Sequence, residues 1–174
     1  MQINRNRGFR CTPLSLPALA DLTDARIAIE GTALRLSVQR GGVTWESEVL
    51  AAHHRLAEQP MFLPSEPTRR NEEWSQAHLE FHHALIRACD NALLLNICAR
   101  LSGAAEPYRA WSGVGPPQQH RDVAGEHQEL VDAALAHDAD EAVARFEAHL
   151  RRTRRILMDT SLTMLGDPTT EPTP

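Results

Sequence analysis

His78, His82, His127 and His149 each fall on the apolar stripe of an amphipathic segment. Imidazole is the commonest metal-ligating side chain, and in its neutral form it suits zinc, nickel, copper or iron. Four inward-facing imidazoles are hard to account for as a solvated surface and point to a metal held inside a helical bundle. Their spacing supports convergence. His78 and His82 are four residues apart, so a helix places both rings on one face, one turn apart. Asp138, at a tight corner, lies eleven residues after His127 and eleven before His149. In an antiparallel helical hairpin, equal spacing from the corner puts two residues at the same height.

Other chemistries lack their residues. A zinc-protease motif needs Glu directly after the first His, but His78-Leu79-Glu80-Phe81-His82 puts Glu80 two positions on, pointing elsewhere. Glu126 precedes His127 and reads as off the face. A di-iron carboxylate bundle needs inward Glu-x-x-His pairs, which are missing. The chain has no nucleophile elbow, Gly-rich phosphate loop or CxxC motif, and Cys11, Cys89 and Cys98 read as small core residues. A metal without a catalytic base can still bind an anion at an open coordination position, with a nearby Arg completing the grip. Arg26, beside the first apolar stripe, and Arg109, just past Pro107, are the candidates. His53 also faces inward, whereas His54, His83, His120 and His137 read as peripheral. On residues alone two further readings stay open: a metal-dependent helical-bundle enzyme, and a helical interaction module whose histidines are core residues.

The elements that must position these side chains are helical. Ser15 caps a helix running to Arg40, where Gly41 and Gly42 stop it; Gly31 inside it marks a break or a close helix crossing. Thr44 is expected to cap the second helix, which Gln59 and Pro60 end. Residues 60–70 read as a Pro-rich loop. Asn71 caps a third helix to about Cys89, bearing Trp74, His78, Phe81, His82 and Leu85 on one stripe. Asp90-Asn91 turns the chain into a fourth helix to about Ser112, kinked or divided at Pro107. After a loop at 113–119, a fifth helix runs from about Arg121 to His137. A capping box from Asp138 to Glu141 then opens a sixth, ending near Leu165. No strand is convincing. The expected fold is an all-α antiparallel bundle of six to seven helices around a buried metal and ligand cavity, over residues 16–165, with a disordered tail at 166–174.

Composition agrees. The 174 residues, 42% hydrophobic and 24% charged, fit one globular domain, and only 5% are aromatic, which favours helix over sheet. The net charge of −5 argues against a broad phosphate-binding surface. All 18 basic residues are Arg. Three cysteines do not make a disulfide framework, and neither a signal peptide nor a membrane span is legible, so the reading is cytoplasmic.

In order and spacing, Phe81-His82, Asp90-Asn91, Glu126-His127 and His149-Leu150 resemble the C-terminal effector domain of GntR-family transcription regulators, FadR subfamily, known as the FCD domain. The resemblance covers about residues 16–160. Leu22 to Glu30 matches the family's opening helix; Trp45 to Leu56 and Arg121 to Ala124 look closer to the CsiR-like branch. The resemblance implies a metal held by an Asp and a His four residues apart plus two later His. Here His82, His127 and His149 match, and His78 stands at the Asp position. An all-imidazole set favours Zn²⁺ or Ni²⁺ over Mg²⁺ or Mn²⁺. It further implies a small organic acid as effector, dicarboxylates or amino-acid catabolites in this branch, bound near the metal. The other implied partners are a second copy in a homodimer and operator DNA, the latter reached through an N-terminal winged helix-turn-helix. That module is not in this chain; residues 5–15 resemble its last wing strand and linker. The resulting expectation is a sensing domain, not an enzyme.

Overall fold

The computed structural model describes residues 15–112 and 121–165, with side chains for 15–109 and 121–159. The expectations for the wing-like segment before Ser15, the loop at 113–119, Cys11 and the tail at 166–174 lie outside the described residues. Six helices carry the fold: α1 (Leu16–Arg40), α2 (Val43–Ala57), α3 (Glu72–Ile86), α4 (Ala92–Ser112), α5 (Val123–Leu135) and α6 (Ala139–Leu165). A single 3₁₀ turn, Arg87–Cys89, extends α3. The all-α expectation holds. α1 packs on α6, α4 and α3, while α2 packs on α3 and α5 on α6. No described helix is long and apolar enough to cross a membrane.

Local chemistry explains most of the boundaries. Ser15 accepts from the Ala18 N–H, Asn71 from Glu73, Asp122 from Gly125 and Asp138 from Glu141, each satisfying a helix-start donor that would otherwise be orphaned. Asp90 turns the chain after the 3₁₀ segment in the left-handed region, at φ 52°. Thr44 is not the cap of α2. Gly42 occupies that position without a side-chain bond, and Thr44 lies in the first turn. α4 is one helix through Pro107, not two. Gly31 does not break α1; it is buried where α1 crosses α6, and a Cβ there would stand 3.7 Å from Val143 Cγ1.

The Pro-rich stretch is not only a loop. Phe62–Leu63 (β1) and Glu66–Arg70 (β2) form an antiparallel hairpin. It is too short for alternation to reveal, and Pro67 is tolerated because a two-stranded sheet has only edge strands. Asn71 ties its base to α3, donating through its backbone N–H to Met61 O (3.0 Å) and through Nδ2 to Pro60 O (3.1 Å).

The main core gathers Leu34, Val38, Val49, Phe81, Leu85, Leu130 and Val131, all fully buried. Trp45 Nε1 donates to Ala84 O at 3.0 Å, so the buried indole leaves no unmet donor. The α5–α6 corner is a Schellman turn. Asp138 N–H bonds Ala133 O, His137 N–H bonds Ala134 O, and His137 sits at φ 55°. Glycine usually fills that position. Here the His137 ring fastens the corner instead, through Nδ1 to Val38 O (2.7 Å) and Nε2 to Glu46 Oε1 (3.0 Å).

Candidate metal centre

α3 supplies His78 and His82, α5 supplies His127 and α6 supplies His149. All four are buried, and one ring nitrogen of each lies within 4.8 Å of the other three. The register reading is visible in the hairpin: the His127 and His149 rings are 4.9 Å apart. Along α3 the His78 and His82 rings are 4.5 Å apart, with their Nε2 atoms at 3.1 Å. Neighbouring ligands around a tetrahedral zinc with Zn–N near 2.0–2.1 Å stand roughly 3.3 Å apart, so the cluster is near the right size.

The protonation states also suit a metal. Burial pushes the pKa of all four imidazoles down, and for His78, His82 and His127 the neighbouring imidazoles push it further, well below the ordinary histidine value. Neutral rings are the form that ligates, and no proton must first be displaced. Nε2 of His127 is buried without a hydrogen-bond partner. Such an orphan is costly unless something accepts its lone pair, and a divalent cation would do so.

Phe81 and Trp74 set the rings in place. Phe81 lies 5.3 Å from the His82 ring and 5.1 Å from that of His127. Trp74, one turn before His78, stacks on it. His53, read as facing inward, is half-buried against Phe81 and outside the cluster.

A pocket adjoins the imidazoles, bounded by His78, His149 and four arginines: Arg26, Arg70, Arg109 and Arg121. Both arginines singled out from the sequence are there, and both are already engaged. Arg26 makes a two-pronged buried ion pair with Glu30, at 2.7 and 2.9 Å. Arg109 pairs with Glu106 and donates to Ser102 O at 3.2 Å. Arg70 and Arg121 escaped the sequence reading. Arg70 ends β2, inside the stretch read as loop, with its guanidinium carbon 5.2 Å from the Trp74 ring centroid. Arg121 stands just before α5.

Glu126 must be re-read. It does not face away from the site: its Oε2 accepts from His149 Nδ1 at 2.8 Å and from Arg121 at 2.7 Å. Its Oε1 accepts from Arg121 Nε and Arg152 Nη1, at 3.0 and 2.6 Å. Burial alone would raise its pKa, but the hydrogen bonds from His149, Arg121 and Arg152 outweigh that and hold it below the carboxylate range. A carboxylate so held is a fixed acceptor, poorly suited to carrying protons. The register argument that pairs His127 with His149 would also have found it, since it places Glu126 opposite Leu150, beside His149.

The family model of the FCD domain matches residues 21–152. The chain belongs to the FCD domain family. The FCD fold is shared by solved structures of low identity. One is a GntR-family transcriptional regulator from Pseudomonas syringae pv. tomato DC3000, with TM-score 0.69 and 18% identity over 95% of this chain and 66% of that one. Another is the metal-free FCD domain of TM0439, with TM-score 0.66 and 16% identity over 87% of this chain and 99% of that one. Among curated relatives the chain is 36% identical to the HTH-type transcriptional regulator BphR of Paraburkholderia xenovorans LB400, over 86% of its own length and 61% of BphR. It is 33% identical to the HTH-type transcriptional repressor GlaR of Escherichia coli K12, over 83% of its own length and 66% of GlaR. The FCD chain thus spans about two thirds or less of the length of these relatives.

Proposed function

We propose that this FCD domain is the sensing part of a GntR/FadR-type transcription regulator, binding a divalent metal at His78, His82, His127 and His149 and a small organic acid beside it. The observation that carries the reading is the convergence of four buried imidazoles from three helices. Bound there, a Zn²⁺ or Ni²⁺ ion supplies a Lewis-acidic position for a carboxylate. Around that position Arg26, Arg109 and Arg121 offer guanidinium donors to the rest of the acid, and the ring stack of Trp74 on His78 keeps one wall of the pocket rigid.

In the regulator, ligand binding biases the arrangement of two copies, and through them the DNA-binding modules of the helix-turn-helix type for which the relatives are named. The reading is of a binding domain and not an enzyme, in the cytoplasm, working as a homodimer.

The test is metal analysis of protein purified without a His-tag, followed by thermal-shift titration with small mono- and dicarboxylates in the presence and absence of Zn²⁺ or Ni²⁺. About one equivalent of metal is expected, lost in His82→Ala, with the carboxylate shift larger when metal is present. Well under one equivalent in the parent, unchanged in His82→Ala, would return the histidines to the role of core residues.

A further inference from the structure

Of the four imidazoles, His149 has a ring nitrogen bonded to a carboxylate, and the Glu126 that supplies it is itself clamped from two sides. Arg121 grips it as a fork, Nε on Oε1 and Nη2 on Oε2, at 3.0 and 2.7 Å. Arg121 is anchored in turn to α6, its Nη2 also lying 3.3 Å from His149 O and 3.0 Å from Thr153 Oγ1. Arg152 closes on Oε1 from the solvent side, half-exposed where Glu126 is nearly buried. A carboxylate with three donors around it has little freedom to turn. Two groups approach His149 Nδ1: the Glu126 carboxylate, which can only accept, at 2.8 Å, and Arg121 Nη2, which can only donate, at 3.4 Å. The shorter, charge-assisted contact to the carboxylate assigns the proton to Nδ1 and leaves Nε2 its lone pair.

We infer that Glu126, held by Arg121, is the positioning residue of the metal centre: it fixes the tautomer and ring orientation of His149 so that Nε2 is presented to the other three imidazoles. This rests on the reading of the cluster as a metal site and assigns a role that the four ligands do not account for. Carboxylate partners of ligating histidines commonly change metal affinity by 10–100-fold when removed, because the ring must then be ordered and its tautomer selected at the moment of binding. Arg121 adds a link between sites. It lines the pocket while holding Glu126, so the guanidinium that an anion in the pocket would meet is the one that sets the carboxylate behind His149.

Two measurements on the same purified domain test this. In metal-free protein, long-range ¹H–¹⁵N spectra of the histidine side chains should show the His149 ring protonated on Nδ1 alone. In Glu126→Leu the two tautomers should mix, and in Glu126→Gln, whose amide oxygen still accepts, Nδ1 should keep its proton. In chelator competition with Zn²⁺ and Co²⁺, affinity should fall about 10–100-fold in Glu126→Leu, less in Glu126→Gln, and in the same direction but by a smaller factor in Arg121→Met. The Co²⁺ spectrum should retain its ligand count. A parent-like zinc affinity in Glu126→Leu, or a His149 ring with its proton on Nε2 in the parent, overturns the assignment. Should Glu126→Leu not fold, parent-like tautomer and affinity in Arg121→Met together with an undiminished affinity in Glu126→Gln overturn it equally. A parent that binds no metal defeats the reading of the cluster instead, and does so without disturbing the tautomer result.

Discussion

Trp74 lies flat against His78, their ring centroids 4.7 Å apart and their planes 18° from parallel. The indole precedes the imidazole by one turn of α3, so the stack is built within a single helix and presses His78 toward its partners. The resemblance to the family implies an aspartate at the position His78 occupies. A carboxylate could not use such a wall, whereas an imidazole gains a fixed plane from it.

The donor at this position should therefore govern metal choice. His78→Asp exchanges a nitrogen ligand for a hard oxygen. Zinc binding should survive, while the affinity for Mn²⁺ relative to Ni²⁺ should rise by roughly tenfold, about 1.4 kcal/mol. Competition titrations with the two ions check this; an unchanged ratio would show that residue 78 is not a ligand.

Acid should unfold the metal-free domain through its buried histidines. Their folded pKa values are depressed, so the unfolded chain takes up protons first as pH falls below its value near 6.5. Their contribution is fully present above that pH and is lost below it, at up to roughly 1.4 kcal/mol per pH unit for each imidazole that stays neutral in the fold. His137 acts in the opposite sense. Its bonds to Val38 O and Glu46 raise its pKa, so its small contribution is complete below about pH 6.5 and fades as pH rises through the raised value. Urea melts from pH 8 to pH 5 should show a steep net loss in acid, and saturating Zn²⁺ should move that loss to lower pH. A flat profile would mean the cluster is hydrated or protonated in the fold.

The Arg26–Glu30 pair is buried, at 5% and 3% exposure, so each charge depends on the other. Glu30→Leu should cost about 3–5 kcal/mol by stranding the guanidinium, and Arg26→Met in the same chain should restore much of it. Equilibrium unfolding of the two single variants and the double variant measures the coupling. Additive losses would show that the pair is not the unit of stability.

Gly31 spends helix propensity where α1 crosses α6, yet a Cβ there meets Val143 Cγ1 only at ordinary contact distance. Gly31→Ala should stabilise the domain by about 0.5–1 kcal/mol. The midpoint of denaturation decides it, and a lower midpoint would show that the crossing cannot accept even a methyl group.

The helices, half of their caps and the four candidate ligands were legible in the amino-acid sequence because each depends on local periodicity or local hydrogen bonding. An i, i+4 pair shares a face wherever a helix forms, and two residues equidistant from a tight corner meet whenever the hairpin closes. Ser15, Asn71 and Asp138 cap as read, for the same local reason. Expectations failed where the outcome depended on what lay across the fold. The hairpin at 62–70 exists through pairing between segments too short to show a period. Glu126, one residue off the stripe of α5, reaches His149 only because α6 passes beside it. Arg70 and Arg121 enter the pocket because β2 and the start of α5 are carried there by their neighbours. A long, flexible charged side chain has no direction of its own in a sequence. Its direction is set by the partners packing brings within reach, so the sequence by itself determined which imidazoles could meet, and tertiary structure decided which charges surround them.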